Sequence, residues 1–163
     1  MLAVMAVTDS GLLARPGAIP GDLAWFRLAT SGRRLLGGSR TILELAGLGW
    51  RAGDREVTCL TRGGTARMTE LGRALERISD RWRIRCLLEL TDEEVVIGGA
   101  ETLHSVWERV DDVLLTRCRD SLGVSGLSVP PLDDGRWERV DEWLADANRW
   151  GLELERWRRR SRS

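Results

Sequence analysis

Apolar residues along the chain fall into two kinds of stretch, short unbroken runs and longer spaced stripes, and the two alternate. Leu2–Val7 is a continuous apolar run, the mark of a strand buried on both faces. Thr8-Asp9-Ser10-Gly11 reads as a turn, and Leu12–Pro20, which carries Pro16, Gly17 and Pro20, as a loop. Asp22 opens a helix in which Leu23, Phe26 and Thr30 share one face, and Gly32 closes it. Arg33–Gly37 predicts a second strand; Gly38-Ser39-Arg40-Thr41 then leads into a short helix carrying Ile42 and Leu45. Glu56–Thr61 predicts a third strand. Thr69–Trp82 predicts an amphipathic helix, with Leu71, Leu75, Ile78 and Trp82 as its stripe and Thr69 as N-cap. A short apolar element follows at Arg85–Leu90. Val95–Ile97 is a buried strand that stops at Gly98-Gly99, a helix runs from Ala100 to Arg109, and Val113–Thr116 is the next strand.

The last part of the chain has a different rhythm. Trp137–Leu144 and Leu152–Trp157 show broken alternation, as in antiparallel strands with one covered face, and Arg156–Ser163 is expected to fray. Strands that alternate with helices and end in an antiparallel pair predict an α/β domain: a mostly parallel central sheet, an antiparallel C-terminal edge and flanking helices.

Length and composition narrow this picture. At 163 residues the whole chain suits one domain with one core. Lys+Arg and Asp+Glu both number 25, so the balance points to neither nucleic acid nor an acidic membrane surface. Every base is arginine and tyrosine is absent, a bias that reads as codon usage in a GC-rich genome. Cys59, Cys86 and Cys118 lack metal-ligand spacing, and their odd number argues against a disulfide framework, which fits a reducing cytoplasm. The apolar Met1–Val7 is too short for a signal peptide or a membrane span.

Candidate chemistry sits at the ends of strands. At Val95-Val96-Ile97-Gly98-Gly99-Ala100-Glu101-Thr102 a helix starts where a strand stops, which presents unpaired N–H groups to a phosphate; an ordinary tight turn is the alternative. Gly37-Gly38-Ser39-Arg40-Thr41 repeats that arrangement with a guanidinium and two hydroxyls, and two such junctions in one sheet suit a dinucleotide pyrophosphate. Asp22 follows a Pro-containing loop and is flanked by Leu23, Trp25 and Phe26. It is either a helix cap or a carboxylate aimed at a flat heterocycle bearing N–H groups. The single histidine, His104, sits within a helix and reads as structural or exposed, and no zinc or iron pattern exists.

Three segments in order, Ile19-Pro20-Gly21-Asp22-Leu23-Ala24-Trp25-Phe26-Arg27-Leu28-Ala29-Thr30, Gly38-Ser39-Arg40-Thr41 and Val96-Ile97-Gly98-Gly99-Ala100, resemble the dihydrofolate reductase family in spacing. The likeness runs from Leu2 to Trp157. It implies NADPH-dependent reduction of 7,8-dihydrofolate to tetrahydrofolate, within one-carbon metabolism, by a cytoplasmic monomer. By resemblance Asp22 is the carboxylate that binds the pterin N3 and 2-amino group and promotes protonation at N5. Phe26 packs on the substrate, Leu23 and Leu45 form apolar walls, and Ala6 and Ile97 flank the pterin. Thr116 is the threonine bonded to the acid, and Arg55 pairs with the glutamate carboxylate of folate. Gly38, Ser39, Arg40 and Thr41, with Gly98, Gly99, Ala100, Glu101 and Thr102, correspond to the pyrophosphate junctions, and Arg62 to a 2′-phosphate contact.

The chain also departs from the family. The loop before Asp22 is short and lacks the family's Pro-Trp pair, Leu103 replaces a usual Tyr, and Ser39 stands where a cofactor-binding Arg is common. The 80–92 region resembles an insertion. Alternatives that keep the fold are a reductase of another pterin or of a riboflavin-pathway pyrimidine; a divergent domain that binds folate or NADPH with little turnover is a third.

Overall fold

The computed structural model describes residues 1–62, 68–119, 124–140 and 152–161. Its central strand, β1 (Leu2–Thr8), lies parallel to β6 (Glu94–Gly98) on one side and to β7 (Asp112–Cys118) on the other. Beyond β6 come β3 (Arg34–Gly38), β4 (Val57–Leu60) and β5 (Trp82–Arg85), all parallel. Beyond β7 the direction reverses: β10 (Glu153–Arg159) is antiparallel to β7, and β9 (Trp137–Arg139) is antiparallel to β10. The order is therefore β5-β4-β3-β6-β1-β7-β10-β9, the expected parallel sheet with an antiparallel edge.

Successive side chains of a strand point to opposite faces, and the inner strands are apolar on both. Val4, Leu35, Val95 and Leu114 enter one layer, while Ala3, Leu36, Val96 and Val113 enter the other. The first layer is covered by α1 (Asp22–Ala29), α2 (Ser39–Gly47) and α3 (Met68–Ile78), through Trp25, Ile42 and Leu75 among others. The second is covered by α4 (Ala100–Val106) and the 3₁₀ turn Trp107–Arg109 that follows, where Leu103, Val106 and Trp107 pack against Trp137. The period of two also sets the site, because Ala6, Ile97 and Thr116 share the face that α1 and α2 cover.

Several expectations are corrected. Leu12–Ala14 is not wholly loop: it forms β2, antiparallel to both β1 and β8 (Val124–Ser128), a strand the apolar pattern did not mark. The helix expected over Thr69–Trp82 starts at Met68, so Thr69 lies inside it, and it ends at Ile78. There the Ser79 hydroxyl donates to the carbonyls of Arg55 and Arg81, which ties the chain to the sheet edge and turns Trp82 into a strand residue. Arg85–Leu90 yields only a 3₁₀ turn, Leu87–Glu89, so the 80–92 segment contributes an edge strand and a turn. The helix from Ala100 tightens to 3₁₀ geometry at Trp107.

At the C-terminal edge, the strand expected over Trp137–Leu144 is present as Trp137–Arg139, and 141–144 lie outside the described residues. Arg156–Arg159, expected to fray, belongs to β10. Arg156 donates to Asp112, and Arg159 donates to the carbonyls of Val110 and Trp107. Charge pairing and carbonyl acceptors hold what its composition alone would release.

The antiparallel edge is joined by Glu155 of β10. Its buried carboxylate accepts from Arg117 Nε (3.2 Å) and Nη2 (3.0 Å) on β7, from Arg139 Nη1 (3.4 Å) on β9 and from Trp157 Nε1 (2.8 Å). Burial raises its pKa, but the hydrogen bonds from Arg117 and Trp157 and the charges of Arg117 and Arg139 outweigh that and hold it below the ordinary glutamate value. A carboxylate lowered on folding stabilises the fold at neutral pH, and that contribution is lost as pH falls through the folded value. Glu155→Gln should therefore destabilise the protein by about 1–3 kcal/mol at pH 7, less than a fully buried pair because Arg117 and Arg139 reach water. Urea unfolding should show the gap between wild type and variant closing below pH 4 to 5, and a pH-independent gap would mean that Glu155 acts through packing alone.

Candidate active site

The carboxyl ends of the parallel strands open into one cavity of about 1050 Å³. This is where an open α/β sheet offers space, since the helices leave the strand ends in different directions. Ala6 of β1, Ile97 of β6 and Thr116 of β7 form its floor; Leu23 and Phe26 of α1 and Leu45 of α2 form its apolar walls. Asp22, at the first position of α1, enters among them. Gly21 precedes it with φ +83°, a left-handed turn that lets the chain leave the loop and start the helix at the acid.

Thr116 Oγ1 donates to Asp22 Oδ1 at 2.8 Å, which joins α1 to the middle of the sheet. Burial raises the Asp22 pKa, and the Thr116 hydrogen bond opposes that in part, leaving it above the ordinary aspartate value. A half-desolvated carboxylate with one hydroxyl partner retains acceptor capacity for a ligand's N–H groups. Asp22 is thus a cavity-lining acid as well as the first residue of a helix.

The other end of the cavity is built by the two glycine junctions. Gly38, Ser39, Arg40 and Thr41 line it at the start of α2, and Gly99, Ala100, Glu101 and Thr102 at the start of α4. β3 and β6 are direct neighbours whose register shifts between Leu36 and Gly37, so the two junctions lie against each other. A Cβ on Gly38 would stand 2.5 Å from Thr102 Oγ1, so any side chain there would force Thr102 to move. Gly98 lies behind the lining with φ +115° and is joined to Gly99 by a cis peptide. Arg62, past the end of β4, reaches the rim, exposed and 3.7 Å from Glu101.

Arg55 is placed elsewhere. It does not line the main cavity but a shallow depression with Arg27, Ser31 and Arg51. Its guanidinium is buried, donating from Nε to the Ala52 carbonyl and from Nη1 to Thr30 Oγ1 and the Arg27 carbonyl. Burial, then the nearby Arg27 charge, lower its pKa, with Asp54 offsetting part of this.

The cavity also contains residues that the sequence did not mark. Glu44 lines it from α2, three positions after Thr41 and so on the same helical face, a spacing that could have found it. Arg85 lines it from β5, hidden because that strand was split between a helix expected to end at Trp82 and a short apolar element expected from Arg85. Arg15 and Pro16, just past β2, close one side.

Fold and cavity together are those of an α/β oxidoreductase. The family model for dihydrofolate reductase matches residues 4–158, and the chain belongs to that family of NADPH-dependent enzymes. Among solved structures it is similar to the dihydrofolate reductase from Enterococcus faecalis complexed with NADP(H) and RAB-propyl. The TM-score is 0.62 at 17% identity, covering 97% of this chain and 95% of that one, a likeness of fold. No curated protein sequence matches the chain.

The Asp22 pKa shift carries a stability consequence of opposite sign to that of Glu155. A carboxyl whose folded pKa lies above its unfolded value favours folding when protonated, and that contribution is lost as pH rises through the folded value. At neutral pH the charged Asp22 is therefore a net cost. Asp22→Asn, whose amide oxygen still accepts from Thr116, should unfold at an equal or higher temperature than wild type at pH 7 while losing at least about two orders of magnitude in turnover. A lower melting temperature with turnover intact would make Asp22 a structural cap.

Proposed function

We propose that the chain reduces 7,8-dihydrofolate to tetrahydrofolate with NADPH in a reducing cytoplasm. The observation that carries this reading is the Thr116-bound, half-buried Asp22 at one end of an apolar cavity whose other end is the pair of glycine junctions. Asp22 accepts the N3–H and 2-amino hydrogens of the pterin and favours the form protonated at N5. Phe26, Leu23, Leu45, Ala6 and Ile97 hold the ring flat and keep water from it. When bound, NADPH supplies a hydride to C6, so that one hydride and one proton complete the reduction.

The residues present fit that cofactor. The two junctions bring the Ser39, Thr41 and Thr102 hydroxyls and the Arg40 guanidinium to one end, a donor set suited to pyrophosphate. Arg62 reads the 2′-phosphate. Its nearby acid, Glu101, is exposed at 73%, so the pair is weak and a phosphate can displace it. Cys59 is a free thiol, buried, with its pKa pushed up to about 11 by desolvation, and so resists oxidation whatever the compartment.

A second reading, a reductase of a tail-less pterin or pyrimidine, is favoured by one observation: Arg55 lies outside the cavity with its guanidinium largely committed to the protein. The two readings part in an NADPH-oxidation assay. On the folate reading, dihydrofolate is used with a KM at least tenfold below that of a tail-less dihydropterin, and Arg55→Ala erases the difference with little change in kcat. Equal KM values in the wild type would move the assignment to the tail-less substrate.

The cofactor claim has its own check. Helix N-termini serve the pyrophosphate of NADPH and NADH alike, so preference must come from a cation near the adenosine ribose. Arg62→Ala should narrow the NADPH/NADH affinity ratio, leave NADH binding almost unchanged and show a smaller effect at high salt. An unchanged ratio would assign the phosphate to Arg40, or to Arg85, whose strand position pairs with Leu60.

A further inference from the structure

Glu44 is a carboxylate without a counter-charge in the wall of a cavity otherwise suited to an anionic ligand. It is half-buried on α2, and its side chain makes no hydrogen bond or ion pair among the described residues. Arg40, one turn earlier on the same helix, and Arg15, across the cavity, also line the space without bonding to it. A free carboxylate so close to a phosphate-binding helix start opposes phosphate unless a donor group comes between them.

Its place along α2 says which group that is. The helix begins at Ser39 against the pyrophosphate junction, and Leu45 is a wall of the ring-binding end. With a rise of about 1.5 Å per residue, Glu44 lies roughly 4.5 Å beyond Thr41 along the axis, between those two ends. In a dinucleotide the unit between the pyrophosphate and the reacting ring is a ribose, and its exposed groups are the 2′- and 3′-hydroxyls. A vicinal diol offers two donors in the spacing that the two oxygens of one carboxylate accept. An acid on a ribose hydroxyl is a general device of dinucleotide sites.

We propose that Glu44 binds the diol of the cofactor's second ribose, the one that carries the reacting ring, and so sets how that ring is held against the pterin pocket. The assignment rests on the NADPH reading above. It makes Glu44 selective for ligands that extend past the pyrophosphate, whereas Arg40, Arg62 and the glycine junctions act on the part that precedes it.

Fragments of the cofactor separate these contributions. Adenosine 2′-phosphate 5′-diphosphate ends at the pyrophosphate, its ADP-ribose counterpart (2′-phospho-ADP-ribose) adds the second ribose, and NADPH adds the ring. Each is titrated into wild type, Glu44→Gln and Glu44→Ala by quenching of the intrinsic fluorescence of the eight tryptophans. Removing the carboxylate should weaken 2′-phospho-ADP-ribose and NADPH by about tenfold or more, with adenosine 2′-phosphate 5′-diphosphate held within about twofold, since a hydrogen bond to a charged group is worth at least a decade. Glu44→Gln is isosteric and preserves the helix, so a loss in it does not come from unfolding. Tighter binding of all three ligands would show that Glu44 only repels phosphate, equal weakening of all three that it acts through the position of α2, and no change that it touches no ligand. Each of those overturns the assignment and leaves NADPH binding intact. Failure of wild type to bind any of the three would overturn the NADPH reading and the Glu44 assignment with it.

Discussion

The glycine end of the cavity depends on a steric constraint: two strand-to-helix junctions approach so closely that a side chain on Gly38 would force Thr102 to move. A Cβ at Gly38 would come within 2.5 Å of Thr102 Oγ1 and 3.6 Å of the Gly99 nitrogen. Position 99 is less confined, a Cβ there lying 3.3 Å from Thr41 Oγ1, and position 98 has ordinary space but a φ of +115° that favours glycine. The approach follows from topology. β3 and β6 are neighbours in the sheet although about sixty residues separate them, so the helices that leave them start side by side. Both helix starts then line one volume, the arrangement that a bound diphosphate would need.

Glu155 and Asp22 are desolvated carboxylates treated in opposite ways. Glu155 is surrounded by two arginines and an indole N–H, and its charge is held below the ordinary range. Asp22 has a single hydroxyl, and its charge is raised in energy. The difference follows from location. Glu155 sits where β7, β9 and β10 converge and no ligand enters, so full partnering fixes the edge of the sheet. Asp22 faces a cavity, and a fully partnered acid there would have nothing left to offer. The incomplete partnering that costs stability at Asp22 leaves acceptor capacity open to the cavity, whereas the full partnering of Glu155 serves the fold.

What the sequence revealed follows the same division between local and non-local causes. Both-face-buried strands such as Leu2–Thr8 and Glu94–Gly98 were legible because burial on two sides demands an unbroken apolar run, and the junctions because glycine marks them. β2 and β8 were not legible, since β2 has only three residues, β8 (Val124-Ser125-Gly126-Leu127-Ser128) has no apolar run, and the two pair with each other across the fold. Trp82 was misleading in a specific way. It continues the spacing of Leu71, Leu75 and Ile78, but Ser79 binds the Arg55 and Arg81 carbonyls and ends the helix, a tertiary event that periodicity cannot contain. All proposed site residues except Arg55 and Gly98 line one cavity, because the family likeness located them by motif. Arg15, Glu44 and Arg85 entered only with the fold.

Arg55 shows how a residue outside the cavity can still be coupled to it. Its guanidinium lies 5.2 Å from the centre of the Trp50 ring, and Trp50 packs at 5.6 Å and 60° against Phe26, whose ring lines the cavity. A planar ligand against Phe26 and an anion against Arg55 would therefore sit at the two ends of one aromatic bridge. The hydrogen bonds to Ala52 and Thr30 fix the guanidinium beforehand, so little rotamer freedom is lost when an anion arrives. The repulsion from Arg27, which lowers the Arg55 pKa, is relieved by the same anion. Neither effect reaches the bond being reduced. An anion bound at Arg55 would therefore stand apart from Asp22, across the Phe26–Trp50 contact, and could favour a ligand with a negative tail without touching the acid.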